Sequence, residues 1–416
     1  MKKLLSVTLF SGLLTLTKMG SSFIIAKIVA MYAGPTGMAM LGQVQGIVSC
    51  LNGIVNAPVS SGIVRYTAEF EKEGTKACSP WWMASLWWLA IILSIIMPTG
   101  FLLAKPLSQL FLDNPDYAWI IWTATAVLPV TAVGTLINSV INGYQQYRRF
   151  IALGAISTLI SCVLMVTLII KFGITGALLA AALQTGLIGI VMLFSVLRQP
   201  WFSLQYWWGK TSADYKKKIG GYILMAITSA LTVPVALICI RNILINHVGW
   251  ESAGQWQAVW KISEVYLSVI TIALGTYYLP KLSTLESTKS IRKEINKTIL
   301  IIIPIAAFMA LCVYIFRDVA ISVLFTEEFR GARDLFAIQL LGDVIKIASW
   351  LYAYPMLSRG ATKWFVLTEI VFSIMLVLLT WIFVPLYSAQ GANISYVINY
   401  TLYLIFTFLF LERYSR

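Results

Sequence analysis

The chain has 416 residues, of which 59% are hydrophobic and 12% are charged, and its mean hydropathy is +0.81. Soluble globular chains contain about 45–50% apolar and about 25% charged residues. These values exclude a disordered chain, a collagen-like fibre and a disulfide scaffold, and they argue against an ordinary soluble enzyme. The composition therefore predicts an all-α membrane protein with several spans.

Lysine and arginine exceed aspartate and glutamate by 31 to 17, which leaves a net charge of +14. In a soluble protein this excess would suggest a nucleic-acid partner, whereas in a membrane protein it first suggests cytoplasmic loops rich in basic residues. The five cysteines are spread singly, which is typical of small apolar residues and not of a disulfide or metal site. The sequence predicts no metal, no cofactor and no nucleic-acid partner.

A bilayer core of about 30 Å requires roughly 20 apolar residues in a helix. Twelve such stretches follow one another along the chain, and we predict a transmembrane helix for each. They cover residues 5–32, 38–65, 81–104, 117–142, 150–170, 175–197, 219–245, 253–280, 297–316, 333–357, 362–384 and 390–411.

The longest polar connection, residues 199–218, predicts a division into two six-helix bundles, residues 1–198 and 219–416. We expect the connection to lie along the cytoplasmic membrane surface, because its tryptophans and tyrosines favour the headgroup level. With the amino terminus inside, 21 of the 31 basic residues are cytoplasmic, six are outside and four lie within spans. This imbalance predicts that both termini are cytoplasmic, so most of the charge excess sets orientation.

The two halves show weak internal similarity. Residues 42–45 resemble residues 254–257 at an offset of 212, and Phe150 corresponds to Trp364 at an offset of 214. Six spans return the chain to its starting side, so such repeats are parallel. Parallel repeats of this kind are an architecture of membrane transporters.

Three basic residues stand out in the first spans of the two halves. A charged side chain at the centre of a membrane helix costs about 2.5–3.5 kcal/mol, so it usually faces a cavity or a partner. Lys18 lies near the middle of span one, and Lys27 lies nearer its outer end, where snorkelling to the surface is an alternative. Arg241 ends span seven near the outer surface, where it is either an anchor or part of a cationic rim.

The second half contains five more ionisable residues at span depth. Lys261 and Glu264 are three residues apart and share a helix face, as do Asp343 and Lys346, and Glu369 lies in span eleven. One interpretation is that these are neutral pairs that tolerate burial. The other is a water-filled cavity whose cations meet an anionic substrate and whose carboxylates titrate or bind an ion.

Several segments recur in order and spacing in a known family. They are Lys18-x8-Lys27 with Gly34-Pro35, Pro234-Val235-Ala236 with Arg241, Trp256-Gln257 followed by Ile262-Ser263 and Tyr266-Leu267, Tyr278-Leu279-Pro280, Arg317-Asp318, the run 333–340, and Gly342-Asp343-Val344 with Lys346. The sequence resembles the Wzx-type O-antigen and lipid III (enterobacterial common antigen) flippases. This family is the polysaccharide transporter branch of the multidrug/oligosaccharidyl-lipid/polysaccharide exporter superfamily. At Glu264 the family pattern has Asp, so the carboxylate is kept with one more methylene.

The resemblance implies a MATE-like fold of 12 transmembrane helices, in which two pseudo-symmetric six-helix bundles form a V. It implies a transporter and not an enzyme, located in the bacterial inner membrane. The implied activity is alternating-access transfer of an undecaprenyl-diphosphate-linked oligosaccharide from the cytoplasmic to the periplasmic leaflet. The implied partners are membrane lipids, a proton or monovalent cation, and polymerase or chain-length proteins of the same glycan pathway.

Residues can be assigned to that substrate by chemistry. A diphosphate needs cations, and a glycan needs hydrogen-bonding groups such as amides. The candidate substrate-binding residues are therefore Lys18, Lys27, Arg241, Lys261, Lys346, Asn52 and Gln339. The candidate ion-coupling residues are Glu264, Asp343 and Glu369.

Two alternatives stay open at this point. A drug or small-solute antiporter of related fold would favour a cavity of net negative potential, whereas the central ions here are three lysines and three acids. An integral-membrane polysaccharide polymerase or glycosyltransferase would need an outer loop with catalytic carboxylates. The one candidate for such a loop is the short segment 317–334, with Glu327 and Glu328.

Overall fold

The computed structural model describes residues 2–209, 211–285 and 287–415, and this part of the chain consists of helices joined by short turns. Helices are the expected form because a backbone in hydrocarbon must satisfy its hydrogen bonds within the segment. The chain separates into two compact units, Met1–Tyr32 with Leu41–Val235, and Ala33–Met40 with Ala236–Arg416. The division into bundles at residues 1–198 and 219–416 stays a prediction.

The first unit has a core of tightly packed helices. The side chains of Trp82, Ile137 and Val196 are fully buried there. The helices Leu128–Gly143 and Tyr147–Val196 approach closely, since a Cβ on Gly134 would lie 2.4 Å from the Cα of Gly189. In chain order the helices are α1 (Lys2–Asn56), α2 (Ser61–Phe70), α3 (Thr75–Leu102), α4 (Ala104–Leu112), α5 (Ala118–Ala126), α6 (Leu128–Gly143), α7 (Tyr147–Val196), α8 (Leu204–Trp207) and the first part of α9 (Ala213–Ala273).

The second unit is centred on α13, which packs against α11, α14 and α15. Tyr278, Phe329 and Phe336 are among its largest buried side chains. A π-helical turn, Leu274–Tyr278, follows α9, and a 3-10 helix, Glu327–Leu335, precedes α13. The remaining helices are α10 (Leu279–Ser283), α11 (Thr288–Ile315), α12 (Arg317–Leu324), α13 (Phe336–Ser358), α14 (Thr362–Tyr387) and α15 (Gln390–Tyr414).

Nine helical stretches within the described residues are long and apolar enough to cross a membrane. Three of them contain a glycine with non-helical backbone angles: Gly34 in α1, Gly173 in α7 and Gly249 in α9. All three have positive φ, which glycine adopts at low cost. Counted on either side of these glycines, the nine stretches make twelve segments, which agrees with the twelve predicted spans. The chain is a multi-pass membrane protein.

The backbone breaks recur between the two halves at one constant interval. Gly34 (φ 60°, ψ −164°) and Gly249 (φ 86°, ψ 167°) form one pair of breaks. Gly173 (φ 57°, ψ −135°) and Ser388 (φ 54°, ψ −144°) form a second pair with nearly the same conformation. The interval along the chain is identical in the two pairs. The repeat that the sequence suggested is therefore present in the backbone itself.

A tight turn repeats at the same interval and corrects one sequence pairing. Gln145 (φ 53°) and Gly360 (φ 63°) occupy equivalent places in the two halves. The backbone N–H groups of Phe150 and Phe365, which follow these two residues at equal distance, each donate to the carbonyl four residues earlier, both at 3.0 Å. Phe150 therefore corresponds to Phe365, and its pairing with Trp364 at an offset of 214 is wrong by one residue.

The connection between the halves is partly helical and is fastened to α3. Because α9 begins at Ala213, the last residues of the predicted 199–218 linker are already helix. The Trp207 ring stacks on Trp82 with centroids 4.5 Å apart. The Thr211 hydroxyl donates to the Pro80 carbonyl at 3.0 Å. The position of this connection on the cytoplasmic membrane surface stays a prediction.

Candidate functional site

The Asp343 carboxylate lies at the centre of a buried hydrogen-bond network in the second unit. Its side chain has no solvent exposure. The Tyr266 hydroxyl donates to Oδ2 at 2.7 Å, and the Tyr396 hydroxyl donates to Oδ1 at 2.9 Å. Gln339 Nε2 also donates to Oδ1, at 3.2 Å. Three neutral donors from α9, α13 and α15 thus converge on one acid, which offsets the cost of burying it.

The local sequence explains how these donors reach Asp343. Gln339 and Asp343 are four residues apart in α13 and so lie on one helix face. A glycine next to Asp343 brings α15 close, because a Cβ on Gly342 would lie 2.3 Å from Tyr396 Cδ1. Any larger residue would push Tyr396 away, so Gly342 sets the distance between α13 and α15 at the network.

Lys346 lies one turn further along α13, among aromatic rings. Its Nζ is 5.0 Å from the ring centroid of Trp350, 5.3 Å from that of Tyr400, and 5.5 Å from those of Trp260 and Tyr396. Ring faces attract an ammonium at such distances, and the attraction strengthens away from water. Lys346 is therefore held by a four-ring cage, while the neighbouring acid on α13 is held by neutral donors.

The Lys346 ammonium also interacts with three carboxylates. Asp343, Glu264 and Glu369 all lie near enough to interact electrostatically with its ammonium. The site thus combines one caged cation with three acids from α9, α13 and α14. This arrangement brings together four residues that the sequence singled out in three spans: Glu264, Asp343, Lys346 and Glu369.

Lys261 and Glu264 form an ion pair on α9. Lys261 Nζ is 3.4 Å from Glu264 Oε2, and the two side chains are 26% and 47% exposed. The Trp260 indole N–H donates to Glu264 Oε1 at 3.1 Å. Because the Trp260 ring also faces Lys346, this residue connects the exposed pair to the cage. The Glu264 side chain is thus partly open to solvent although it makes two contacts.

Arg241 is buried inside the second unit, with 3% exposure. Its Nη1 donates to Gln257 Oε1 at 3.0 Å. Beside Gln257 on α9, the Trp256 indole N–H donates to Asn393 Oδ1 at 3.0 Å, and Asn393 donates to the Leu335 carbonyl. The guanidinium is therefore part of a packed polar layer and not of an exposed rim.

The ten predicted site residues are divided between the two units. Lys18, Lys27 and Asn52 belong to the first unit, and the remaining seven belong to the second. Lys18 is exposed and Lys27 is half-buried. Asn52 Nδ2 donates to the Thr185 hydroxyl at 3.4 Å, so its amide lies in a small polar cluster.

The sequence reasoning missed the aromatic residues that build the site. The missed residues are Trp260, Tyr266, Trp350, Tyr396 and Tyr400. One signal was available, because polar residues recur every three or four positions along one face of apolar α15: Asn393, Tyr396, Tyr400, Tyr403 and Thr407. Such a stripe in a membrane helix indicates a face turned towards a polar interior.

Apolar helices that enclose a network of ionisable and aromatic residues define a polytopic membrane protein. Solved structures share this fold. An inward-facing multidrug resistance MATE family transporter of the MOP superfamily matches with a TM-score of 0.72 and 18% identity, over 95% of this chain and 94% of its own. The lipid II flippase MurJ, in an inward closed conformation, matches with a TM-score of 0.70 and 13% identity, over 98% and 90%.

Sequence comparison identifies the family. The family model described as "Polysaccharide biosynthesis protein" matches residues 44–334, which is more than half of the chain. The chain belongs to this family. It is also similar to the lipid III flippases of Escherichia coli (strain K12) and Shigella flexneri, each 28% identical over 402 residues and covering 96% of both chains.

Proposed function

We propose that the chain is a flippase for an undecaprenyl-diphosphate-linked oligosaccharide, moving it from the cytoplasmic to the periplasmic leaflet of the bacterial inner membrane. The observation that carries this proposal is the similarity to the lipid III flippases along 96% of both chains. The protein is a transporter, both of its termini are cytoplasmic, and its cycle is alternating access by bundles 1–198 and 219–416. The interfacial segment 199–218 connects the two bundles.

The caged lysine is suited to an anionic headgroup. Its charge is stabilised by ring faces, and an ammonium in such a cage can donate to phosphate oxygens in place of a ring contact. Lys261 supplies further positive charge in the second unit, and Lys18 and Lys27 are the proposed phosphate contacts of the first unit. Arg241 is buried against Gln257, so we expect it to stabilise the fold and not to contact the phosphate. The amide of Asn52 is proposed for sugar hydroxyls, whereas Gln339 is buried and its Nε2 donates to Asp343, so it acts on the substrate only through that acid. A diphosphate thus meets cations, and the neutral glycan meets hydrogen-bonding groups.

Asp343 is suited to coupling transport to a proton or monovalent cation. As a carboxylate it accepts from Tyr266, Tyr396 and Gln339. When it takes up a proton, it gains an O–H donor and loses one acceptor position, which changes the hydrogen bonds that it can make. Protonation therefore rearranges contacts between α9, α13 and α15. Glu264 and Glu369 are the additional coupling candidates, since both act on the same lysine.

The proposal is tested by reconstitution. Liposomes containing the purified protein and a fluorescent undecaprenyl-diphosphate-linked oligosaccharide are mixed with a membrane-impermeant quencher, which reports how much label reaches the outer leaflet. We expect protein-dependent exchange that is lost in Lys346→Gln. Absence of exchange by a folded protein that exports a cationic dye would instead identify a drug antiporter.

The enzyme alternative is tested in the same liposomes by analysing glycan length. A polymerase or glycosyltransferase would lengthen the glycan, whereas a flippase leaves it unchanged. In segment 317–334, Arg333 Nε is 2.7 Å from Asp318 Oδ1, and Glu327 pairs with Arg330. These ion pairs favour a structural role for the segment. Polymerase and chain-length proteins of the glycan pathway are proposed as partners, which co-purification would reveal.

A further inference from the structure

A second group of charged and aromatic residues lies in the first unit and shares no residue with the site described above. Four basic residues form it: Arg65 on α2, and Lys216, Lys217 and Lys218 on α9. We call these four residues the basic cluster. Two acids lie beside it, since Glu69 is 3.7 Å from Arg65 and Asp214 is 2.9 Å from Lys218. The cluster with its acids therefore has a net charge of +2.

Aromatic rings hold three of these cations in place. Lys216 Nζ is 4.1 Å from the ring centroid of Trp87, and Lys218 Nζ is 5.8 Å from that of Trp81. The Arg65 guanidinium lies over Tyr222 at 5.8 Å and also donates to its hydroxyl. Contacts of this kind fix the stems of long side chains while the charged groups stay accessible.

The rings are themselves fixed by packing between three chain segments. Tyr66 of α2 stacks on Trp81 of α3 with centroids 3.5 Å apart, and Tyr215 of α9 meets Trp81 edge-on at 4.6 Å. The Trp88 indole N–H donates to the Lys216 carbonyl at 2.9 Å. The cluster is thus a preformed feature of the fold and not a set of independent surface lysines.

The sequence of α9 places the cluster at the boundary between water and lipid. Three consecutive lysines are followed directly by the apolar run that begins at Ile219. Trp87, which is 42% exposed, lies beside Lys216 at the same level. Further along the two helices, Leu224 of α9 is 72% exposed and Ile95 of α3 is 57% exposed. Charged groups at headgroup level with exposed apolar residues beyond them match the two parts of a phospholipid.

From this juxtaposition we infer that the basic cluster binds an anionic glycerophospholipid, whose phosphate contacts basic residues of the cluster and whose acyl chains lie against exposed apolar residues of α3 and α9 such as Ile95 and Leu224. Basic groups between membrane helices on one face are suited to such headgroups. The proposed ligand is a lipid of the bilayer, and the residues that bind it are different from those proposed for the glycan lipid.

The test measures phosphatidylglycerol retained by the purified protein, using native mass spectrometry and titration in detergent. In the variant Arg65→Gln/Lys216→Gln/Lys218→Gln we expect at least about a tenfold loss of apparent affinity, because each basic residue near a lipid surface contributes several-fold. The charge-keeping variant Arg65→Lys/Lys216→Arg/Lys218→Arg retains binding to within about twofold on the same argument. Phosphatidylcholine binding is unchanged in both variants.

A matched control removes the same charge elsewhere. Lys289, Lys293 and Lys297 are exposed on α11, and their triple replacement by glutamine leaves phosphatidylglycerol binding intact. The inference is overturned if this control loses as much affinity as the cluster variant, or if the cluster variant loses none. Displacement of phosphatidylglycerol by inorganic diphosphate, but not by sulfate at equal ionic strength, also overturns it, because the site would then select diphosphate chemistry.

Discussion

The Tyr266 hydroxyl donates a hydrogen bond to Asp343 Oδ2 at 2.7 Å, across 77 residues of sequence. Tyr396 donates to the other carboxylate oxygen from 53 residues further along the chain. The acid thereby joins α9 and α15 through α13. A change in the charge of Asp343 alters its hydrogen bonds to both α9 and α15. Asp343 is therefore the first residue to test for ion coupling.

Asp343→Asn is expected to abolish the response of translocation to an imposed pH gradient. The asparagine keeps one acceptor oxygen, so we expect the protein to fold with a loss of about 1–3 kcal/mol. The measurement is flipping in liposomes with and without the gradient, and thermal unfolding in detergent is the folding control. Glu264→Gln and Glu369→Gln are measured alongside. If all three variants keep full activity and the same gradient response, the coupling proposal is wrong.

Tyr266→Phe and Tyr396→Phe each remove one hydrogen bond to the buried carboxylate. A hydrogen bond to a charged group contributes about 1.5–3 kcal/mol, so each variant should be destabilised by that amount. We expect the destabilisation of the double variant to differ from the sum of the two single destabilisations, because both hydroxyls donate to the same carboxylate. Thermal unfolding measures this, and Tyr277→Phe, at an exposed position, is the control. Unchanged stability in both single variants would contradict the network.

Lys346→Gln should abolish translocation, and Lys346→Arg should retain part of it, because arginine keeps the charge and also stacks on aromatic rings. Trp350→Leu removes the nearest ring of the cage and should weaken substrate binding with little loss of folding. Liposome flipping at several substrate concentrations separates affinity from maximal rate. Lys171→Gln, an exposed lysine of α7, serves as the charge-matched control. Equal loss in that control would exclude a specific role for the cage.

Gly342→Ala should destabilise the second unit by about 1–3 kcal/mol, since the added methyl group would overlap the Tyr396 ring. Gly221→Ala is the matched control on α9, where a Cβ meets no atom within 4 Å. Alanine has the higher helix propensity, so this control should be neutral or slightly stabilising. Thermal unfolding distinguishes the two, and a neutral Gly342→Ala would show that α13 and α15 are not closely apposed.

Ser388→Gly should stabilise the protein by about 1 kcal/mol, because a non-glycine residue is strained at φ 54° and ψ −144°. Its counterpart in the first half, Gly173, already has the favoured residue. The same replacement at Ser94, inside α3, should cost about 0.5–1 kcal/mol. Thermal unfolding measures both variants. A gain of stability at position 388 with a loss at position 94 supports the assignment of the repeat, whereas destabilisation at both positions contradicts it.

The helices could be predicted almost completely from the sequence. The predicted span 362–384 corresponds to α14, Thr362–Tyr387, and 390–411 corresponds to α15, Gln390–Tyr414. The agreement has a local cause, since an apolar stretch of sufficient length must form its own backbone hydrogen bonds in lipid. The Lys261–Glu264 pair was likewise predictable from spacing along one helix.

The surroundings of Asp343 and Lys346 could not be predicted in this way. Their spacing on α13 suggested a pair, whereas the structure gives the acid two tyrosines from other helices and gives the lysine a cage of four rings. Which helices meet depends on small residues such as Gly342, whose effect appears once α15 is in place.

By itself, the sequence determined the membrane class, the number of spans and the residues whose charge had to be accommodated, because hydropathy and charge act along the chain. The tertiary structure decided which partner each charge received, where the helices break and which residues of the two halves correspond. Those outcomes depend on side chains far apart in sequence that pack against one another. The chemistry of the site is therefore a property of the folded helices together.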